Sequence, residues 1–312
     1  MKDDPIVSAL ARLDDIPLDT PEGKAEFTKA LAAKSNLVVA KAARLAGSAH
    51  WADLAPAMES AFDRMIAKGA AVDKACAAMI AIARALIVLE HDAPELYLRG
   101  MRYIQMEGSY GPPIDTAAEL REVCAMGLAN STWPHKLRDM IPLLADGEWK
   151  VRAGAIRAIG VVGSEAASLL LRFKMITGDT EPEVMSECFA AILDLEGAEG
   201  VRVVAQAASS GNPEFREAAI LALGASRRPD AVEWLKENFQ STIDREGRRA
   251  ILLALSTSRV EEAIDFLLEL MHSGTGSVPA QAEEALKIHA RDEQLRARMD
   301  EAIHSRRPPG PQ

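Results

Sequence analysis

Six histidines, three cysteines and one acid–His–acid triplet are the groups on which acid–base, metal or nucleophilic chemistry would draw. His50, His91, His135, His272, His289 and His304 show no paired metal-ligand spacing, and no His-Glu dipeptide occurs. His50, His91 and His135 fall near the turns of three successive blocks of sequence. Packed helices lie about 8–10 Å apart, too far for side chains on successive hairpins to share one ion at about 2 Å. Glu90-His91-Asp92 has the makings of an acid–base cluster, although such a run is more often a solvated helix end. Cys76, Cys124 and Cys188 are poorly placed for disulfides and read as small buried hydrophobes. No Gly-rich phosphate loop, nucleophile elbow or paired-carboxylate motif stands out. The expectation is therefore no catalytic residue, no metal site and no cofactor.

The elements that would position any such group are repeated helices. Val151, Val184, Phe215, Gly247 and Ala280 open equivalent blocks spaced 33, 31, 32 and 33 residues apart. Five residues after each opener stand Ile156, Phe189, Ile220, Leu252 and Ala285, and eight after it Ile159, Ile192, Leu223, Leu255 and Ile288. Offsets of zero, four, five and eight fall on one helical stripe. Second helices carry their own stripe at Val201, Val204 and Ala208, at Val232, Leu235 and Phe239, and at Ile264, Leu267 and Met271. Each block is thus a helical hairpin too small to bury its own apolar face, so hairpins must stack. Turn and cap signals agree: Gly163-Ser164 separates two helices, Gly178-Asp179 ends the second, and Glu181-Pro182-Glu183 and Asn212-Pro213-Glu214 begin new ones.

Earlier blocks are degenerate, with openers at Leu37, Val72 and Leu120. In this register Cys76, Cys124 and Cys188 each lie four residues after an opener, a position filled elsewhere by small or apolar side chains, although Lys41 breaks that rule. The 48 residues from Val72 to Leu120 imply an insertion, placed at 105–117, where Gly and Pro oppose regular structure. The expected organisation is an N-terminal helical cap at 1–35, with Thr20-Pro21-Glu22 starting a helix, a repeat array at 36–303, and a disordered tail at 304–312.

Asp146-Gly147-Glu148-Trp149-Lys150-Val151-Arg152-Ala153-Gly154-Ala155-Ile156-Arg157-Ala158-Ile159-Gly160, and the block from Asn212 to Gly224, resemble the HEAT-repeat superfamily. The likeness is particularly to the short bacterial HEAT-like repeats also found in phycobilin lyases, and is strong from Leu120 to about Met271. The resemblance implies an all-α fold: an α-solenoid, or α-α superhelix, of about eight stacked hairpins. It implies little about activity, since that fold hosts scaffolds, lyases and DNA-repair proteins. Di-iron HEAT-like hydroxylases use repeated His-Glu pairs, which this sequence lacks.

In such stacks Arg121, Arg152, Arg216 and Arg248, each one residue past an opener, with acids at Glu148, Glu214 and Asp244, are expected to form an inter-repeat ladder of ion pairs and helix-terminal contacts. The tryptophans, Trp51, Trp133, Trp149 and Trp234, are too dispersed to cage one ligand; Trp234 is the one expected to face a partner. The surface singled out is the second-helix, concave face, where repeat proteins commonly bind. Its flanking residues change sign along the chain, from Arg172, Lys174 and Arg202 to Glu233, Glu237, Asp265 and Glu269.

Net charge is −10, with 14 Lys/Arg against 18 Asp/Glu in residues 1–135 and 22 against 28 thereafter. An evenly acidic chain without a basic stripe disfavours nucleic acid. The longest apolar segment, 75–89, holds 15 residues interrupted by Arg84. It is too short to span a membrane, and the acidic start resembles no signal peptide. These features point to a cytoplasmic protein. The function expected is a non-enzymatic scaffold binding an unidentified protein partner along the second-helix face. A phycobilin-lyase-like or other lyase is the alternative, and a nucleic-acid repair protein ranks last.

Overall fold

The computed structural model describes residues 5–17, 20–108, 110–209 and 213–305. Among these, 18 α-helices and one two-stranded ribbon are present. The chain parts into two compact units, Met1–Ala167 and Ser168–Gln312, each an α-solenoid segment of stacked helical hairpins. Of the expected disordered tail, His304 closes a helix, Ser305 follows it, and the remainder lies outside the described residues.

The first unit runs α1 (Pro5–Asp15), α2 (Pro21–Leu31), α3 (Asn36–Ser48), α4 (Ala55–Lys68), α5 (Ala77–Val88) and α6 (Pro94–Met101). It continues through α7 (Ala118–Asn130), the short α8 (Lys136–Met140) and α9 (Trp149–Val162). First helices stack on first helices: α3 against α5, α5 against α7, α7 against α9. Thr20 caps α2, its hydroxyl accepting from Gly23 N at 3.0 Å, and in the expected cap α1 packs on α3 while α2 packs on α3 and α4. The second unit holds most of α10 (Glu165–Thr177), then α11 (Pro182–Glu196), α12 (Ala198–Ala208), α13 (Pro213–Ala225) and α14 (Pro229–Ser241). It ends with α15 (Arg245–Ser258), α16 (Glu261–Ser273), α17 (Val278–Leu286) and α18 (Glu293–His304). Here α11 packs on α13 and α13 on α15.

The central blocks bury the stripe read from the sequence. Ile156, Phe189, Ile220 and Leu252 are buried, as are Ile159, Ile192, Leu223 and Leu255 three residues on. All nine second-helix positions from Val201 to Met271 are buried too.

Register slips at the edges of the array. Leu37 is 51% exposed, while Val38, Ala42, Ala43 and Ala46 are buried, so the block opens one residue later. Lys41 then leaves the small position, and its ammonium bonds Leu10 O at 2.8 Å and Asp14. Val72 opens nothing, because α5 starts only at Ala77 and buries Ala78, Ile82, Ala83 and Leu86. Openers Val38, Ala78 and Leu120 are therefore 40 and 42 residues apart, so the extra length is shared by two repeats of the first unit. In the last block Ala280 and Ile288 are exposed and Ala282, Ala285 and Leu286 are buried.

The 105–117 insert is ordered where described. β1 (Met106–Glu107) pairs antiparallel with β2 (Ile114–Asp115). Its inner side chains grip the start of α5, where Ala75 and Cys76 both hold positive φ, 54° and 53°. Glu107 Oε1 accepts from Ala75 N at 2.6 Å and from Thr116 Oγ1 at 2.6 Å. Buried Gln105 donates to Asp73 O at 2.9 Å. Asp73, fully buried, caps α5 through Ala78 N at 2.9 Å and Met79 N at 3.0 Å. Gly and Pro at the tip thus leave room for a ribbon, because the residues flanking them supply the buried hydrogen bonds.

Turns inside the hairpins recur as well. His50, Glu90, Gly163, Arg227 and Arg259 each hold positive φ just past a first helix, the left-handed stop that favours glycine. Ser131, Ser226 and Ser258 stand eleven residues after their openers, each donating to the carbonyl three residues back and accepting from the amide two residues on. The sequence reading missed this serine.

Candidate functional site

Helices α12 and α14 bury their stripes inward and turn Ala198, Arg202 and Gln206, and Glu233 and Glu237, outward. Between them lies a groove of about 780 Å³. Val201 and Ala205 form its floor, and half-buried Trp234 one wall. Arg202 and Gln206 stand on one rim and Glu233 and Glu237 on the other. Small residues on α12 face an indole on α14, so the groove is apolar at depth and polar at its lip, as protein-binding sites commonly are.

Four of the eight expected partner-binding residues, Arg202, Glu233, Trp234 and Glu237, line this groove. Arg172 does not: it forms a bidentate pair with Glu196, Nε to Oε1 2.8 Å and Nη2 to Oε2 2.5 Å, and a longer contact to Glu199 at 3.4 Å. That pairing holds the Glu196 carboxyl below its usual range, against burial, and raises the guanidinium. Lys174 is sequestered with Asp179 at 2.7 Å, both largely buried. Asp265 accepts from Arg298 at 2.5 Å, and Glu269 is exposed on α16.

Charge along this face is accordingly less polarised than the sequence suggests. Arg202 pairs with Glu199 within its own helix, and Glu233 with Lys236 at 3.2 Å. Neither Glu237 nor Glu269 has an ion-pair partner among the described residues. The basic residues are consumed internally, and the free charge is acidic.

The other candidates serve packing. His91 Nε2 meets Glu59 at 2.6 Å while Asp92 accepts from Thr132 N at 3.2 Å, so the Glu90-His91-Asp92 run ties neighbouring repeats together. Burial raises all three thiols, Cys76 and Cys188 to about 12. Cys76 lies ahead of α5 rather than on its inward stripe. Trp51 stacks edge-on against Phe27 at 5.1 Å, and Trp133 donates to Asp139 at 2.8 Å.

Of the arginine ladder, Arg121 and Arg216 reach forward to Asp146 and Asp244 of the following repeat. Arg152 and Arg248 donate to backbone carbonyls, Asp146 O at 2.9 Å and Thr242 O at 2.5 Å. Asp146 takes the role expected of Glu148, whose backbone amide donates to that aspartate at 2.9 Å. The Glu214 side chain lies outside the described residues.

Residues 171–256 and 201–287 match the family described as HEAT repeats. No curated protein sequence matches the chain. Among solved structures, the complex of CpcE and CpcF of phycocyanin lyase from Nostoc sp. PCC7120 is similar at 14% identity, covering 93% of this chain and 95% of that one, with a TM-score of 0.36. Human deoxyhypusine hydroxylase in complex with glycerol is similar at 19% identity over 82% and 91% of the two chains, with a TM-score of 0.31. No helix among the described residues is long and apolar enough to cross a membrane.

Proposed function

We propose, for a chain that belongs to the HEAT-repeat superfamily through residues 171–287, that it is a scaffold that docks a partner protein in the groove between α12 and α14. The observation carrying this reading is the apolar floor beside Trp234, open to solvent and rimmed by polar groups. A half-buried tryptophan over small residues is the kind of anchor on which binding energy concentrates. The unpaired Glu237 on the lip favours a partner segment that sets a cation beside its apolar side chains.

The test is capture of the partner with wild-type and altered protein. Trp234→Ala removes the wall, and Gln206→Arg crowds the rim from an exposed position. Both should release the captured partner about tenfold more readily, while Glu217→Gln, on α13, should not. Equal retention by all three variants would refute docking at this groove.

A further inference from the structure

A second and larger cavity, about 920 Å³, opens in the second unit between the turn after α15 and the segment that starts α18. Its lining brings together Arg259, Arg291, Arg298, His289 and the acids Glu261 and Asp292. Both acids are occupied. Glu261 accepts from Arg298 Nη1 at 2.7 Å, and Asp292 Oδ1 accepts the first amides of α18, Gln294 N and Leu295 N, each at 3.1 Å. Arg298 is occupied as well, its second nitrogen bonding Asp265 at 2.5 Å. Arg259 and Arg291 have no partner among the described residues. Two guanidinium groups therefore stand without a hydrogen-bonding partner around one cavity, whose lining holds three arginines against two carboxylates.

The same cavity has an apolar side, and the register slip of the last repeat creates it. In regular blocks the residue eight past the opener is buried; here Ile288 is 51% exposed and lines the cavity with Ile264 and Leu295. His289 turns toward the stack instead, its Nε2 held 2.9 Å from Ser256 O.

We propose that this cavity binds an oxyanion, carboxylate or phosphate, carried on an apolar body. The forked guanidinium matches the spacing of two oxygens on either group, and each such charge-assisted pair is among the stronger hydrogen bonds. Ile288 supplies the surface for the uncharged portion. The proposal is independent of the α12–α14 groove.

Calorimetric titration of the full chain at low ionic strength with octyl phosphate, octanoate and inorganic phosphate tests it. Octyl phosphate or octanoate should bind, and whichever is tighter identifies the anion. Arg259→Gln with Arg291→Gln should weaken that binding about tenfold or more, the loss expected for two charge-assisted pairs. Ile288→Ser should weaken the octyl ligands and leave inorganic phosphate unchanged. Arg227→Gln, at the equivalent turn one repeat earlier and outside the cavity, should bind as wild type. Equal affinity in wild type and the double variant, or no binding by either octyl ligand at millimolar concentration, would overturn the proposal. Thermal melts matching wild type would show that the exposed substitutions leave the fold intact.

Discussion

Arg121 lies 2.9 Å through Nε from Asp146 Oδ2 and 3.0 Å through Nη2 from Oδ1, while its Nη1 bonds Asp115 Oδ2 at 2.7 Å. One guanidinium, 3% exposed, thus joins the ribbon, α7 and the loop leading into α9. Arg121→Met strands two carboxylates and should cost about 3–5 kcal/mol. Arg121→Lys should recover only part of that, since an ammonium cannot span both acids in the planar fork. Guanidinium unfolding curves of the two variants check the order.

The left-handed turn residues predict opposite effects at equivalent positions. Arg227 holds φ 54° without the freedom of glycine, whereas Gly163 meets the same need at φ 67°. Arg227→Gly should stabilise by about 0.5–1 kcal/mol, and Gly163→Ala should destabilise by about 1 kcal/mol. Urea midpoints of the two variants should move in opposite directions.

Stability should carry an acid-sensitive contribution from Arg172 and Glu196. Hydrogen bonding to Arg172 lowers the Glu196 pKa from its ordinary 4.5, with burial opposing. A carboxyl lowered in the folded state stabilises fully above its unfolded value and loses that contribution as pH falls through the folded value. Arg172→Met should therefore cost about 1–3 kcal/mol at pH 7. The gap from wild type should narrow as pH drops below 4.5. A gap that stays constant down to strongly acidic pH would contradict this pairing.

The cysteines should be silent in the native state. Burial pushes Cys76 and Cys188 to about 12, and Cys124 is fully buried. A thiol reagent at pH 8 should therefore label none of them until denaturant is added, when all three should react.

How far these features could be read from the chain depends on whether the cue was a side chain or a path. Ile156, Phe189, Ile220 and Leu252 were legible because inward packing demands large apolar groups at one fixed offset. Leu37 and Ala280 misled because an apolar residue at the right spacing does not reveal where its helix begins, and a one-residue slip exchanges Leu37 for Val38. Arg121 and Arg216 announced themselves as cations, but choosing Asp146 over Glu148 required the course of the loop. That Trp234 lines a groove could be anticipated because it adjoins a regular stripe. The cavity around Arg259 and Arg291 could not, since its members come from separate turns and from a repeat that departs from the pattern.

The ribbon's grip on Ala75 and Cys76 also bears on how this array could be edited. Two successive left-handed residues lacking glycine's freedom cost about 1–2 kcal/mol each, and the hydrogen bonds from Glu107 and Gln105 offset that cost. Excising 105–117 to shorten this repeat would not yield a tidier helical unit. It would unfasten a clasp, letting the first turn of α5 uncoil and exposing the carboxylate of Asp73 that the helix depends on.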